Sequence, residues 1–264
     1  MKQSQRMGLK KITMMGVALA MGSQADGFPN QGGSSEASFA TEAWSLMLAT
    51  YSPLMGLEGD VGAGGVAVPV DLSFKDILEE LDGGAVLALE AKRDRWSIGA
   101  DFIWLKLSSS EEPFAETRIN FRQQEFISSL TFGYELYGNP CSSIELLAGG
   151  AMTSIDVDLE VFTPRLQVTY REGGGSQTWI DPFVGLRGTY QFSERWSVWF
   201  RADIGGFGVS SDEYWQAVGG ISCRLGERVS LGVAYRVIAT DYQQGGFRYD
   251  TKMAGPNLGL VFHF

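Results

Sequence analysis

Residues 230–237 read Ser230-Leu231-Gly232-Val233-Ala234-Tyr235-Arg236-Val237. Leu231, Val233, Tyr235 and Val237 fall on one parity; Ser230, Gly232, Ala234 and Arg236 fall on the other. Successive side chains of a strand point to opposite faces, so this segment is a strand with one bulky apolar face and one small, polar face. Serine, glycine, alanine and a charge make a poor soluble core. The pattern closes when the surrounding solvent is lipid: bulky residues face out and the small, charged set faces a lumen. A charge facing lipid at the bilayer midplane costs ~2–4 kcal/mol, which forces Arg236 inward.

The alternation recurs to either side. Val198, Phe200, Ala202 and Ile204 oppose Ser197, Arg201, Asp203 and Gly205, while Val184 and Leu186 oppose Arg187 and Thr189. Leu258, Leu260, Phe262 and Phe264 oppose Asn257, Gly259, Val261 and His263. Trp199 is the exception, because its parity puts a large ring inside. Period-two runs predict strands near 84–92, 96–107, 119–136, 144–158, 179–192, 196–208, 214–225, 229–240 and 253–264, after an earlier strand starting near Trp44. The expected fold is therefore all-β: an antiparallel transmembrane β-barrel of about ten strands. Counts of eight or twelve remain open, because Pro53 and the glycines at 62, 64 and 65 interrupt the first pattern.

The connections alternate in length. Arg93-Asp94-Arg95, Gly138-Asn139-Pro140, Ser193-Glu194 and Gly226-Glu227 mark tight turns, with longer links near 108–117, 163–178 and 241–250. The link near 210–212 is short and weakens the alternation. Short periplasmic turns and longer outer loops characterise barrels of this class, and an even strand count leaves both termini on the periplasmic side. Tyr134, Tyr137, Tyr190, Phe192 and Trp196 cluster near the tight turns; Trp104, Trp179, Phe207, Trp215 and Tyr242 cluster near the longer loops. Two such girdles suit two bilayer interfaces.

One helix is expected, over residues 71–81. Phe74, Ile77, Leu78 and Leu81 repeat at helical spacing, Ser73 can cap the start with Asp76 three residues on, and Gly83 is the expected stop. It falls in the first outer loop, where it could narrow the barrel mouth or, as the favoured alternative, pack over the rim.

Before the barrel, Lys2, Arg6, Lys10 and Lys11 precede a short apolar run from Ile12 to Met21 and a small-residue site at Ser23-Gln24-Ala25. This reads as a signal peptide over 1–25. A leader rich in Gly, Ser and Gln follows over 26–43, with the barrel at 44–264. Removing the signal leaves 17 basic against 31 acidic residues, a formal charge of −14. Such a surface excludes nucleic acid as a partner. Cys141 falls in a turn and Cys223 on an outward parity, and no bridge between them is expected.

The predicted lumen carries Glu90, Asp101, Glu135, Glu145, Arg187, Arg201, Asp203 and Arg236. Charges inside a low-dielectric wall need partners or water. A paired network plugging the barrel is preferred over a conducting constriction, because a barrel of about ten strands encloses little free space. Asp156, Asp158 and Glu160 share one face of a strand extending beyond the membrane and are read as a solvated edge; no metal site and no cofactor is expected. Gly62-Ala63-Gly64-Gly65-Val66-Ala67 matches a dinucleotide fingerprint in letters alone; Pro69 follows where a helix would have to open, so it reads as a glycine-rich bend. His263 is the sole histidine, the penultimate residue, expected at the periplasmic rim and far from where histidine-dependent barrel enzymes work. No GxSxG elbow occurs.

The last eight residues, Asn257-Leu258-Gly259-Leu260-Val261-Phe262-His263-Phe264, resemble the C-terminal assembly signal of bacterial outer-membrane proteins at Asn257, Gly259, Phe262 and Phe264. The chain as a whole resembles the small single-chain outer-membrane barrels, such as outer membrane protein A-like domains. Residues 70–78 with Trp96 and Asp101 also look like a recurring group of uncharacterised outer-membrane proteins. The resemblance implies recognition by the barrel-assembly machinery and a location in the outer membrane, and supplies no activity. The expectation is a monomeric, non-enzymatic outer-membrane barrel with a structural or surface-interaction role, in contact with membrane lipid and lipopolysaccharide. A narrow passive channel is the first alternative and a lipid-modifying enzyme the second.

Overall fold

The computed structural model describes residues 44–63, 66–114, 117–163, 168–170 and 175–264; the expected signal peptide and leader lie outside them. The elements run β1 (Ser45–Pro53), β2 (Gly56–Ala63), β3 (Val66–Leu72), α1 (Phe74–Glu80), β4 (Leu81–Arg93), β5 (Trp96–Phe114), β6 (Thr117–Asn139) and β7 (Ser142–Thr163). They continue with β8 (Val168–Tyr170), β9 (Gly175–Gln191), β10 (Trp196–Gly205), β11 (Glu213–Arg224), β12 (Val229–Gln244) and β13 (Phe247–His263).

Ten of these strands close a ring in the order β1-β4-β5-β6-β7-β9-β10-β11-β12-β13, each pair antiparallel, with β13 returning to β1. Closure removes the unpaired edges that a bilayer cannot tolerate. The seam sets Tyr51 opposite Gly259 and Leu48 opposite Phe262. A Cβ on Gly259 would stand 2.8 Å from the Tyr51 Cβ and 2.9 Å from the Thr50 carbonyl oxygen, so β1 can approach this closely only because residue 259 is glycine. The terminal residue finishes the seam: Phe264 N–H donates to the Leu46 carbonyl at 2.9 Å and Leu46 N–H donates back at 3.1 Å.

The predicted parities hold. Ile204, Phe132 and Val233 are more than half exposed on the outer face, whereas Asp203 and Arg236 are buried inside. Along β5 and β6 the outward residues change from Ile98, Phe102 and Trp104 on one strand and Phe132, Leu130 and Phe126 on the other to exposed Lys106, Gln124 and Arg122. That change marks the outer edge of the apolar belt.

Above the belt the wall is no longer a complete ring. β10 ends at Gly205 while β9 continues outward, β11 begins only at Glu213 while β12 runs on to Gln244, and β1 ends at Pro53. β13 then pairs with β2 through Arg248–Ala254, and β3 hairpins onto β2. Two sheets result, one of β12, β13, β2 and β3 and one of β4 to β9. They close on an apolar cluster of Ile155, Trp179, Tyr242 and Tyr249, with Val61, Val157 and Phe247 against it. Trp179 from one sheet stacks on Tyr242 from the other at 4.1 Å.

The β2–β3 pair was not expected; its strands end at Ala63 and resume at Val66, on either side of Gly64 and Gly65 in the stretch read as a bend, which lie outside the described residues. The helix is shorter than predicted. Val70 to Leu72 belong to β3, and Leu81 already begins β4, so Gly83 lies within a strand and does not stop the helix. Its start is as expected: Asp76 N–H donates to the Ser73 hydroxyl at 3.3 Å, and Ser73 N–H donates to the Asp76 carboxylate at 2.9 Å. This capping box holds the exposed Asp76 carboxyl below its ordinary value through the Ser73 hydroxyl first and its backbone N–H second. The β10–β11 connection can be short because Gly206, Phe207 and Gly208 all take positive φ. Its far side is pinned by Asp181, which accepts from Ser211 N–H at 2.8 Å and from the Ser211 hydroxyl at 2.7 Å.

Candidate functional site: a two-layer plug over a periplasmic cup

All eight predicted lumen charges face the interior, where they form two linked groups. In the first, Lys92 bonds Glu135 and, at 2.9 Å, Glu145. Arg187 bonds Glu145 and Glu90, and the Ser97 hydroxyl donates to Glu145 at 3.1 Å. In the second, Arg236 donates to Tyr51 at 2.6 Å, to Asp101 at 3.1 Å and to the Gln216 carbonyl oxygen at 2.8 Å. Tyr51 donates to Asp101 at 2.8 Å. Gln216 then donates to Asp203, which accepts from Arg201 at 2.8 Å, and Arg201 donates to Thr131 at 3.0 Å. Lys92, Arg187, Arg201 and Arg236 thus face Glu90, Asp101, Glu135, Glu145 and Asp203. Each charge has a partner, as a low-dielectric interior demands.

Lys92, Tyr51, Gln216 and Thr131 were missed as members of this layer. Lys92 shares parity with Glu90, and that signal was available. Tyr51 lies in the strand whose pattern Pro53 obscured.

Immediately outward, the lumen turns apolar. Leu57, Val86, Ile103, Ile127, Phe183, Tyr214, Ile238 and Met253 form a buried cluster across the ring. Val70, Leu72 and Ile77 pack against it, so β3 and one side of α1 help to fill the outer opening. The expected interior was polar; outward of the charge layer it is largely apolar, with the buried Glu125 carboxylate held there by the Tyr249 hydroxyl at 2.8 Å. The reason is geometric, because the converging sheets and the β2–β3 hairpin give inward side chains something to pack on.

On the tight-turn side the interior is open. A cavity of about 530 Å³ runs from Arg195, Arg224 and His263 at the rim up to Arg187, Arg201 and Arg236. Trp199, the parity exception, lines it and donates to the Ser222 hydroxyl at 3.1 Å. A large ring is tolerated inside because its cross-strand neighbours are small, Gly220 on β11 and Thr189 on β9. His263 lies at the rim as expected, 3.2 Å from the Ser230 hydroxyl. Cys141 and Cys223 are both free.

Beyond the belt the outer face carries acids. Lys252 bonds Glu58 at 2.9 Å, which raises its pKa, and Arg248 bonds Asp250 at 2.8 Å. Burial, then the Asp250 and Asp212 carboxylates, push Asp241 above its ordinary value. Asp156 is exposed on a strand that does extend past the belt; the side chain of Glu160 lies outside the described residues.

A closed antiparallel ring, a lipid-facing apolar belt and a lumen holding the charges define an outer-membrane β-barrel protein. No protein-family model and no curated protein matches the chain. Among solved structures, the outer membrane protease OmpT from Escherichia coli aligns over 87% of this chain and 99% of its own, at 12% identity and a TM-score of 0.54. Neisserial surface protein A aligns over 84% of this chain and 100% of its own, at 10% identity and a TM-score of 0.38. The likeness to the first is one of fold.

Proposed function

We propose that this outer-membrane barrel neither conducts solutes nor catalyses a reaction, and acts structurally or through its surface beyond the membrane. The observation that carries the reading is the two-layer plug: a charge layer in which each charge bonds an opposite one, backed by an apolar layer spanning the ring. Ions would have to cross a hydrophobic core to pass. Against catalysis, the Ser230–His263 contact is a rim hydrogen bond. Among the described residues, no carboxylate bonds the other ring nitrogen, and Ser230 lies in a strand whose backbone is paired. Outward Lys106 and Arg122, diagonal neighbours on β5 and β6, sit where lipopolysaccharide phosphates would lie and suit contact with them. The last strand, with Asn257, Gly259, Phe262 and Phe264 at the closing seam, suits recognition by the assembly machinery.

Conductance across a planar lipid bilayer tests the reading. Refolded protein should leave the bilayer silent. Steady ohmic steps whose ion selectivity changes with Arg187→Ala or Arg236→Ala would establish a channel instead, and a lipid modification lost on deletion of the gene would establish an enzyme.

A further inference from the structure

The tight-turn half of the lumen is a blind cup of about 530 Å³. Small-molecule sites run ~300–1,000 Å³, with largely apolar walls and a few polar groups that fix orientation. Three levels succeed one another along β11, β12 and β13. At the closed end Gln216 and Arg236 belong to the charge layer, and at the mouth stand Arg224 and His263. Between them the wall is formed by Val218 and Ser222, Gly232 and Ala234, and Gly259 and Val261. Trp199 of β10 lies at this middle level, bonded to Ser222.

The mouth carries cations that the protein does not compensate. Arg224 N–H donates to the Arg195 carbonyl at 2.7 Å, so the two arginines are direct cross-strand neighbours. Both are exposed, and both line the cavity. Among the described residues neither guanidinium forms an ion pair, whereas Lys92, Arg187, Arg201 and Arg236 deeper in the cavity all do. Glu194, exposed beside Arg195 and also at the mouth, bonds neither. Like charges directly opposite on paired strands repel. The row continues through Ser230, paired with Arg224, whose hydroxyl lies 3.2 Å from His263 Nε2. In a chain with 31 acidic residues, two facing arginines without a carboxylate leave that place to an anion from outside. A guanidinium fork suits a carboxylate, which accepts two parallel hydrogen bonds. Arg195, Ser197 and Trp199 share the inward parity of β10, and four residues of strand span ~13 Å. An anion held at the mouth can therefore lay a body of one or two rings against Trp199.

We propose that the cup binds an organic carboxylate with an apolar body, entering body-first from the periplasm. Its carboxylate accepts from Arg195 and Arg224 at the mouth, and its body lies beside Trp199 at the middle level. The proposal rests on the sealed roof argued above only in making the cup blind; a conducting lumen would overturn that reading, whereas absent binding behind an intact seal overturns this one.

The experiment uses the full barrel in nanodiscs of zwitterionic lipid and ligand-observed nuclear magnetic resonance with three probes. These are 2-naphthoate, 2-naphthamide (the same body without the charge) and acetate (the charge without the body). Naphthoate should bind about tenfold or more tighter than either of the others, since hydrogen bonds to a charged group are about twice as strong as neutral ones. The double variant Arg195→Gln with Arg224→Gln should lower naphthoate to the level of naphthamide and leave naphthamide within about twofold; both positions are exposed, so the barrel should still resist detergent until heated. Filling the cup with Ala234→Phe or Gly232→Val should abolish binding of both naphthyl probes. A Cβ at residue 232 meets nothing nearer than the Ser222 hydroxyl at 3.5 Å, so the second variant keeps the wall intact. Equal affinities for naphthoate and naphthamide, acetate binding as tightly as naphthoate, no binding, or naphthoate binding that survives the arginine variant or both filling variants would overturn the proposal.

Discussion

Arg236→Ala attacks the charge layer at its most buried cation. The guanidinium donates to Tyr51, Asp101 and Gln216 and is 8% exposed. Removing one partner of a buried ion pair costs ~3–5 kcal/mol, because the other charge is left uncompensated. Here the lower end applies: the Asp101 side chain is 17% exposed and keeps the Tyr51 hydroxyl as a donor. The expected loss is therefore about 3 kcal/mol. Adding Asp101→Leu to Arg236→Met removes the orphaned charge and should recover about 2 kcal/mol, a coupling within the range for contacting residues. The assay is reversible urea unfolding of the refolded barrel in micelles, followed by tryptophan fluorescence. Arg195→Ala, at the exposed rim, should stay within about 0.5 kcal/mol of the parent. A loss under about 1 kcal/mol for Arg236→Ala, or strict additivity in the pair, would refute the view that this layer is a paired structural network.

Leu186→Arg, on the lipid face within the belt, should cost ~2–4 kcal/mol in bilayer refolding, while Ser176→Arg, beyond the belt on the same strand, should cost ~0–1 kcal/mol. Ser73→Ala should destabilise α1 by about 1 kcal/mol, read as faster hydrogen exchange at the Ile77 amide, which donates to the Ser73 carbonyl at 3.1 Å. Because Asp76 is held below its ordinary value of 3.8, its contribution to the cap is present above that pH and lost as pH falls through and below it. Ile77 protection should decline over that window and stay flat above it. Trp179→Ala should cost ~3–5 kcal/mol locally by removing the ring stacked on Tyr242, with protection lost near residues 240–250 and the ten-strand ring still resistant to detergent until heated.

Much of this was legible in the sequence because one face of each strand meets lipid. Val198 to Ile204 and Leu231 to Val237 carry their parity openly, and parity placed all eight lumen charges on the correct face. The tight turns and the capping box at Ser73 were equally plain, since each is set by local chemistry. What escaped depends on non-local geometry. The β2–β3 hairpin alternates weakly and contains Pro69, which suits an edge strand but reads as a break. The apolar upper lumen was hidden because Phe183, Ile238 and Met253 gain their packing from sheets that converge only above the belt. Tyr51, Gln216 and Thr131 entered the charge layer through ring order, which no single strand encodes.

Sided cysteine labelling tests most directly whether the lumen opens to the periplasm and is sealed from outside. In a chain carrying Cys141→Ser and Cys223→Ser, one new thiol is placed in the cup by Ala234→Cys and another at the exposed outer end of β12 by Gln243→Cys. A membrane-impermeant maleimide applied to intact cells should label the residue 243 thiol and spare the residue 234 thiol, which should react only after the outer membrane is permeabilised. Labelling at residue 234 in intact cells would mean that the lumen is open from outside or that the barrel is inverted.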